Sequence, residues 1–116
     1  MSRILGIDYG AVRTGIAVTD PLRIIAKPLT TVKTAELIAY LSSYLSNEEV
    51  GIIVVGQPFR MSGEPSEIET EILRFIEEFS NLSAGIKIVR QDERFTSGHT
   101  EPSIMKYTSS LSYTFP

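Results

Sequence analysis

The chain contains no cysteine, so a disulfide framework and a thiolate metal site are both excluded. It has a single histidine, His99, placed in a stretch rich in serine and threonine, where it reads as solvated rather than as a ligand. No apolar run approaches the roughly 20 residues that a membrane span needs. Nothing resembles a signal peptide, because Met1-Ser2-Arg3 leads straight into a short patterned strand. A cytoplasmic protein with no membrane partner is therefore the default expectation. Basic excess is missing too: the formal net charge is −3. That argues against a general nucleic-acid coat protein. It does not exclude chemistry on nucleic acid, since an acidic metal site and a few local cations suffice for that. There is no internal repeat. What remains is 116 residues, 42% of them apolar, which is one domain with enough material for a core.

Asp8 is the most informative residue. It ends the apolar run Arg3-Ile4-Leu5-Gly6-Ile7 and is followed at once by Tyr9-Gly10, after which a second apolar run opens at Arg13-Thr14-Gly15. A carboxylate at the end of a buried strand is costly unless something compensates it, and a hard divalent cation is one such partner. The neighbouring Gly6, Gly10 and Gly15 would let a phosphate approach closely. Aspartate and glycine are also what a plain hairpin turn uses, so this stretch alone leaves both readings open.

The element order is more specific. Residues 3–9 and 12–19 read as strands joined by a tight turn, and Ile24–Leu29 as a third strand that Pro28 confines to an edge or ends. Leu37, Ile38, Leu41, Tyr44 and Leu45 recur at helical spacing and predict a helix over 34–46. Val50–Gly56 is an unbroken apolar run, as in a strand buried on both faces. After a loop at 57–65, Ser66 and Glu69 have capping-box spacing, and Ile68, Ile72, Phe75, Ile76 and Phe79 form one face of a second helix. Residues 86–91 read as a fifth strand, ending at Asp92-Glu93-Arg94. Short turns make the first three strands antiparallel, and helical connections make the later ones parallel. The expectation is an α/β fold with a mixed five-stranded sheet in the order 3-2-1-4-5, and with Asp8 and Asp92-Glu93 at the ends of its parallel strands. Ligands in open α/β sheets bind at such ends.

Three segments, in order and in register, resemble the YqgF family, also called RuvX. They are Gly6-Ile7-Asp8-Tyr9-Gly10 with Arg13-Thr14-Gly15, then Val54-Val55-Gly56-Gln57-Pro58 with Arg60 to Gly63, then Asp92-Glu93-Arg94 with Thr96-Ser97. The family belongs to the ribonuclease H-like superfamily, is related to Holliday-junction resolvases, and is described as maturing the 5′ end of pre-16S ribosomal RNA. The resemblance implies a ribonuclease H-like domain over 1–97 that hydrolyses phosphodiesters with Mg²⁺ or Mn²⁺. It implies pre-16S rRNA within a ribosome precursor as the partner, with structured DNA as an alternative substrate. It also implies roles for individual residues. Asp8 and Glu93 would be catalytic and hold metal, with Asp92 beside them; because strand side chains alternate, only one of the acidic pair should reach the metal, and Glu93 is favoured. Arg13, Arg60 and Arg94, with Gly10 and Gly56, would meet substrate. Arg13 and Arg60 read equally well as solvated side chains without that resemblance.

The resemblance also has a departure. The family continues for a few dozen residues past the Asp-Glu-Arg motif, with a helix, a basic stretch and a last helix carrying a further aspartate. Here 98–116 reads as an irregular tail whose only carboxylate is Glu101. The codons of Gly98-His99-Thr100-Glu101-Pro102, taken from their third bases, permit Ala-His-Arg-Ala, which suits a helix start and points to a frameshift near residue 97. The expectation is a C-terminally incomplete domain with impaired cleavage. Two other classes compete. A non-catalytic RNA- or ribosome-binding module would bind without cleaving, and an actin-like ATP-binding protein would need a second lobe that 116 residues do not supply. The oligomeric state is open.

Overall fold

A computed structural model describes residues 2–83 and 85–92. The elements are β1 (Arg3–Asp8), β2 (Arg13–Thr19), β3 (Ala26–Lys33), a 3-10 turn at Thr34–Glu36, α1 (Leu37–Asn47), β4 (Val50–Gln57), α2 (Glu69–Leu82) and β5 (Lys87–Asp92). The sheet has the expected order β3-β2-β1-β4-β5. β2 is antiparallel to both β1 and β3, while β4 is parallel to β1 and to β5. This is the mixed five-stranded sheet expected from the order of the elements.

From β3 through α1 to β4, and from β4 through α2 to β5, the chain steps in one direction across the sheet. Crossovers of one hand then put both helices on one face. Leu37 and Leu41 of α1 and Ile72, Phe75 and Phe79 of α2 indeed share one buried cluster with Leu5, Ile7, Ile16, Val18, Ile53 and Val55. The side chains that alternate with these make a second cluster on the other face, where Ile4, Ile52 and Val54 are buried beside Ala17, Ala26 and Val89.

β3 differs from its expected bounds. It starts later and runs to Lys33, straight through Pro28. Pro28 is tolerated because β3 is an edge strand, and the β2–β3 register slips between Ile16 and Ala17, the latter facing Pro28. The first turn expected at residue 34 is 3-10, and α1 proper begins at Leu37.

The capping box is also corrected. α2 begins at Glu69 with no side-chain cap, and Ser66 contributes only its backbone carbonyl, to the Glu69 N–H. The reason lies in the Glu69 carboxylate. It turns inward to a partly buried arginine on β5 instead of reaching back to the chain entering the helix.

Candidate active site

β1, β4 and β5 all end at the same edge of the sheet. Ile7 pairs with Val55, and Val55 with Arg90, so these three share the helix face. The next residues, Asp8, Gly56 and Gln91, therefore belong to the opposite face. Asp8 pairs with Gly15 of β2. The local floor is thus an aspartate among two glycines and a glutamine. A Cβ placed on Gly15 would lie 3.8 Å from that of Asp8, so the position beside the carboxylate is open only because it is glycine.

Burial corrects one premise of the sequence argument. β1 is buried from Ile4 to Ile7, but Asp8 is exposed. Its carboxylate is not desolvated and forms no hydrogen bond or ion pair among the described residues. It is free to accept a ligand from solvent rather than being forced to find one.

The turn that follows Asp8 is held by a closed ring of hydrogen bonds. Thr34 Oγ1 donates to the Gly10 carbonyl at 2.6 Å and lies 2.8 Å from Thr14 Oγ1. A hydroxyl has one proton, so Thr14 must be the donor of the second bond. The Gly10 N–H in turn points at Thr14 Oγ1, at 3.5 Å, and the Thr34 N–H donates to the Val12 carbonyl at 2.8 Å. Thr14 is fully buried. Gly10 is required by this packing, since a Cβ there would collide with the carbonyl oxygen of Arg13. Tyr9 turns to the helix face, with its ring centroid 5.7 Å from that of Phe75. Burial, and then the charge of Glu71, hold its hydroxyl above the ordinary value of 10.0. Tyr9 also lines a cleft of about 360 Å³ with Thr34, Ile38, Glu71, Arg74 and Phe75. That cleft belongs to the helix face, away from the Asp8 carboxylate.

The loop after β4 is a small hairpin. Phe59 bridges Pro65, the Gly63 N–H donates to the Arg60 carbonyl at 2.8 Å, and the Arg60 N–H to the Glu64 carbonyl at 2.7 Å. Gly63 has φ of 89°, which closes this three-residue turn in the left-handed region. Met61 stands fully exposed at the tip. Arg60 is paired with Glu67 at 2.9 Å, a solvent-exposed contact that a phosphate could displace cheaply. Arg13 is exposed and carries no partner among the described residues.

Asp92 pairs with Gln57, two residues beyond the Val55–Arg90 pair. Alternation therefore aims it toward the helix face and away from Asp8. Glu93, Arg94, His99, Glu101 and the tail expected over 98–116 lie outside the described residues. Among the described residues no group of three His, Cys, Asp or Glu side chains comes together, and no helix is long and apolar enough to cross a membrane.

Sequence reasoning missed the arginine that fixes this end of the sheet. Arg90 donates to both oxygens of Glu69 at 2.8 Å, to the Gly56 carbonyl at 3.0 Å and to the Val55 carbonyl at 3.3 Å. It thereby ties the start of α2 to the last residues of β4. A signal was present: an arginine inside the apolar run Ile88-Val89-Arg90 must find partners, and the first turn of the preceding helix offers glutamates.

Comparison with known proteins agrees with the resemblance. A "Putative pre-16S rRNA nuclease" of Flavobacterium johnsoniae is 50% identical over 97 residues, covering 84% of this chain and 70% of that protein. A protein of the same description from Porphyromonas gingivalis is 47% identical over 106 residues, covering 91% of this chain and 77% of that one. Among solved structures, Pelota from Archaeoglobus fulgidus superposes with a TM-score of 0.50 at 10% identity, over 97% of this chain and 35% of that one, a likeness of fold alone. The sequence profile of RuvX, described as Holliday junction resolvase, matches residues 2–112. A match over nearly the whole length, joined to relatives half identical in sequence, shows that this chain belongs to the RuvX family.

Proposed function

We propose that the chain is a nuclease that hydrolyses phosphodiester bonds in the 5′ region of pre-16S rRNA, with Asp8 as a metal-holding catalytic carboxylate. The observation that carries the site is the placement of Asp8: exposed, without a partner among the described residues, and set among glycines at the end of three strands. The name shared by the relatives supports the substrate. An unpaired carboxylate open to solvent fits Mg²⁺ or Mn²⁺, which take oxygen ligands and keep several waters. Such an ion would supply Lewis acidity toward the scissile phosphate. Glu93 is the proposed second ligand. Asp92 is aimed at the helix face, away from Asp8, and the family resemblance of the Asp92-Glu93-Arg94 motif supports Glu93 instead. Gly56 and Gly10 would let the nucleic-acid backbone come close, and Arg60 and Arg94 would hold phosphates.

The test is cleavage of an RNA spanning the 5′ end of 16S rRNA, with Mn²⁺ or Mg²⁺, by the wild-type chain and by Asp8→Asn. Asp8 is exposed and unpaired, so the variant should fold as the wild type does while losing metal-dependent cleavage. Measurable metal-dependent cleavage at the same rate by both proteins would remove Asp8 from the mechanism, whereas no cleavage by either would overturn the nuclease reading of this chain. The family description favours a second substrate, a four-way DNA junction. Including that junction in the same assay discriminates between the two, and preference for the junction over the RNA would replace the substrate proposed here.

A further inference from the structure

Arg13 opens β2 and pairs directly with Lys33, the last residue of β3. Like charges placed opposite each other across two strands weaken the sheet. Both side chains are exposed, and neither has a hydrogen-bond or ion-pair partner among the described residues. The carboxylates of Glu48, Glu67 and Glu69 are engaged elsewhere, by Arg3, Arg60 and Arg90. In a chain of net charge −3, two cations have thus been set against each other with no carboxylate paired to either among the described residues.

Their position gives the opposition a use. Gly15 follows Arg13 by two residues and pairs with Asp8, so Arg13 and Lys33 share the face of the catalytic carboxylate. From strand spacing and rise, the Cα of Arg13 lies about 8 Å from that of Asp8, and the Cα of Lys33 about 12 Å. Between them are Gly15 and its partner Thr31, one without a side chain and one with a small hydroxyl. The result is a low floor with a carboxylate on one side and two cations along the rim.

We infer that Arg13 and Lys33 form a clasp for the phosphate backbone of the nucleic-acid strand, and that the strand reaches Asp8 across the β2–β3 end of the sheet. An anion lodged between the two cations removes the repulsion that the bare protein carries. The inference rests on the nuclease reading above. Recognition is of the backbone, so RNA and DNA strands should be held alike at this rim.

The experiment is equilibrium binding of a short single-stranded RNA, and of DNA of the same sequence, to the full chain at salt from about 50 to about 200 mM, where phosphate contacts dominate the salt dependence. The proteins are wild type, Arg13→Gln, Lys33→Gln, the double variant, Lys33→Arg and Lys27→Gln. Lys27 lies on the same strand but pairs with Val18 of the helix face, so it controls for net charge alone. Each loss at the clasp should flatten the slope of log affinity against log salt by about 0.7, the value for one phosphate contact on a single strand. Lys33→Arg and Lys27→Gln should keep the wild-type slope, and the thermal midpoints of the clasp variants should not fall. Wild-type binding with an unchanged slope in the double variant overturns the clasp and leaves the nuclease reading standing. An equal flattening by Lys27→Gln overturns it as well, as a diffuse charge effect. Absence of binding to either strand by the wild type overturns the nuclease reading itself.

Discussion

Replacing Arg90 with alanine should destabilise this fold more than any surface change near the site. Its guanidinium makes two 2.8 Å bonds to Glu69 and two longer ones to the carbonyls of Gly56 and Val55. The two side chains retain only 21% and 11% of their exposure. Removing one partner of a buried pair costs about 3–5 kcal/mol, because the other charge is left uncompensated. The residual exposure here places Arg90→Ala at the low end, about 3 kcal/mol. Glu69→Ala should cost less, about 2 kcal/mol, since Arg90 would keep its two backbone acceptors. For a domain of this size each kcal/mol moves the thermal midpoint by about 4 °C, so Arg90→Ala should melt about 12 °C lower. The double variant Arg90→Met with Glu69→Leu should return to within about 1 kcal/mol of wild type, as apolar replacement of a buried pair generally does. Urea unfolding followed by circular dichroism gives all three values. A cost below about 0.5 kcal/mol for both single alanine variants would mean that the pair is solvated in practice. A double variant as unstable as the sum of the singles would mean that the two side chains act separately.

Gly10→Ala should lower stability by about 1–3 kcal/mol, because the new methyl meets a backbone carbonyl that cannot swing away; urea unfolding measures it, and cleavage should fall too, since the collision lies two residues from Asp8. Asp20 is held below its ordinary value of 3.8 chiefly by the Ile25 N–H, with those of Ile24 and Leu22 adding to it. Its folded value is lower than its unfolded one, so its contribution is present above the ordinary value and is lost as pH falls through the folded one. Asp20→Asn should therefore melt below wild type at neutral pH, and the gap should close in acid. A gap independent of pH would assign the effect to shape rather than charge.

The topology was legible because it follows from the order of elements and from loop lengths. Short turns around Tyr9–Val12 and Asp20–Ile25 force antiparallel neighbours, and the two amphipathic helices force parallel ones. One feature was not legible because a long-range contact outweighed a local preference. Ser66 and Glu69 have the spacing of a capping box, yet Arg90, 21 residues away, offers Glu69 a bidentate charged partner in a buried setting. Pro28 left open an edge strand or an early end; the edge holds, and with a bulge beside the proline β3 runs on to Lys33. Lys33 was invisible for a different reason. Its meaning comes only from the residue opposite it, and register cannot be read from either strand alone.

Register also explains how β5 serves two ends at once. Arg90 and Asp92 belong to the face that carries α1 and α2, and Gln91 belongs to the face of Asp8. β5 thus anchors a helix with one set of side chains and presents Gln91 to the face of Asp8 with the other. Shifting β5 by one residue would exchange those sets. It would aim Arg90 at the Asp8 floor and strand the Glu69 carboxylate against an apolar core. The Arg90–Glu69 pair therefore fixes which side chains of β5 can reach the site.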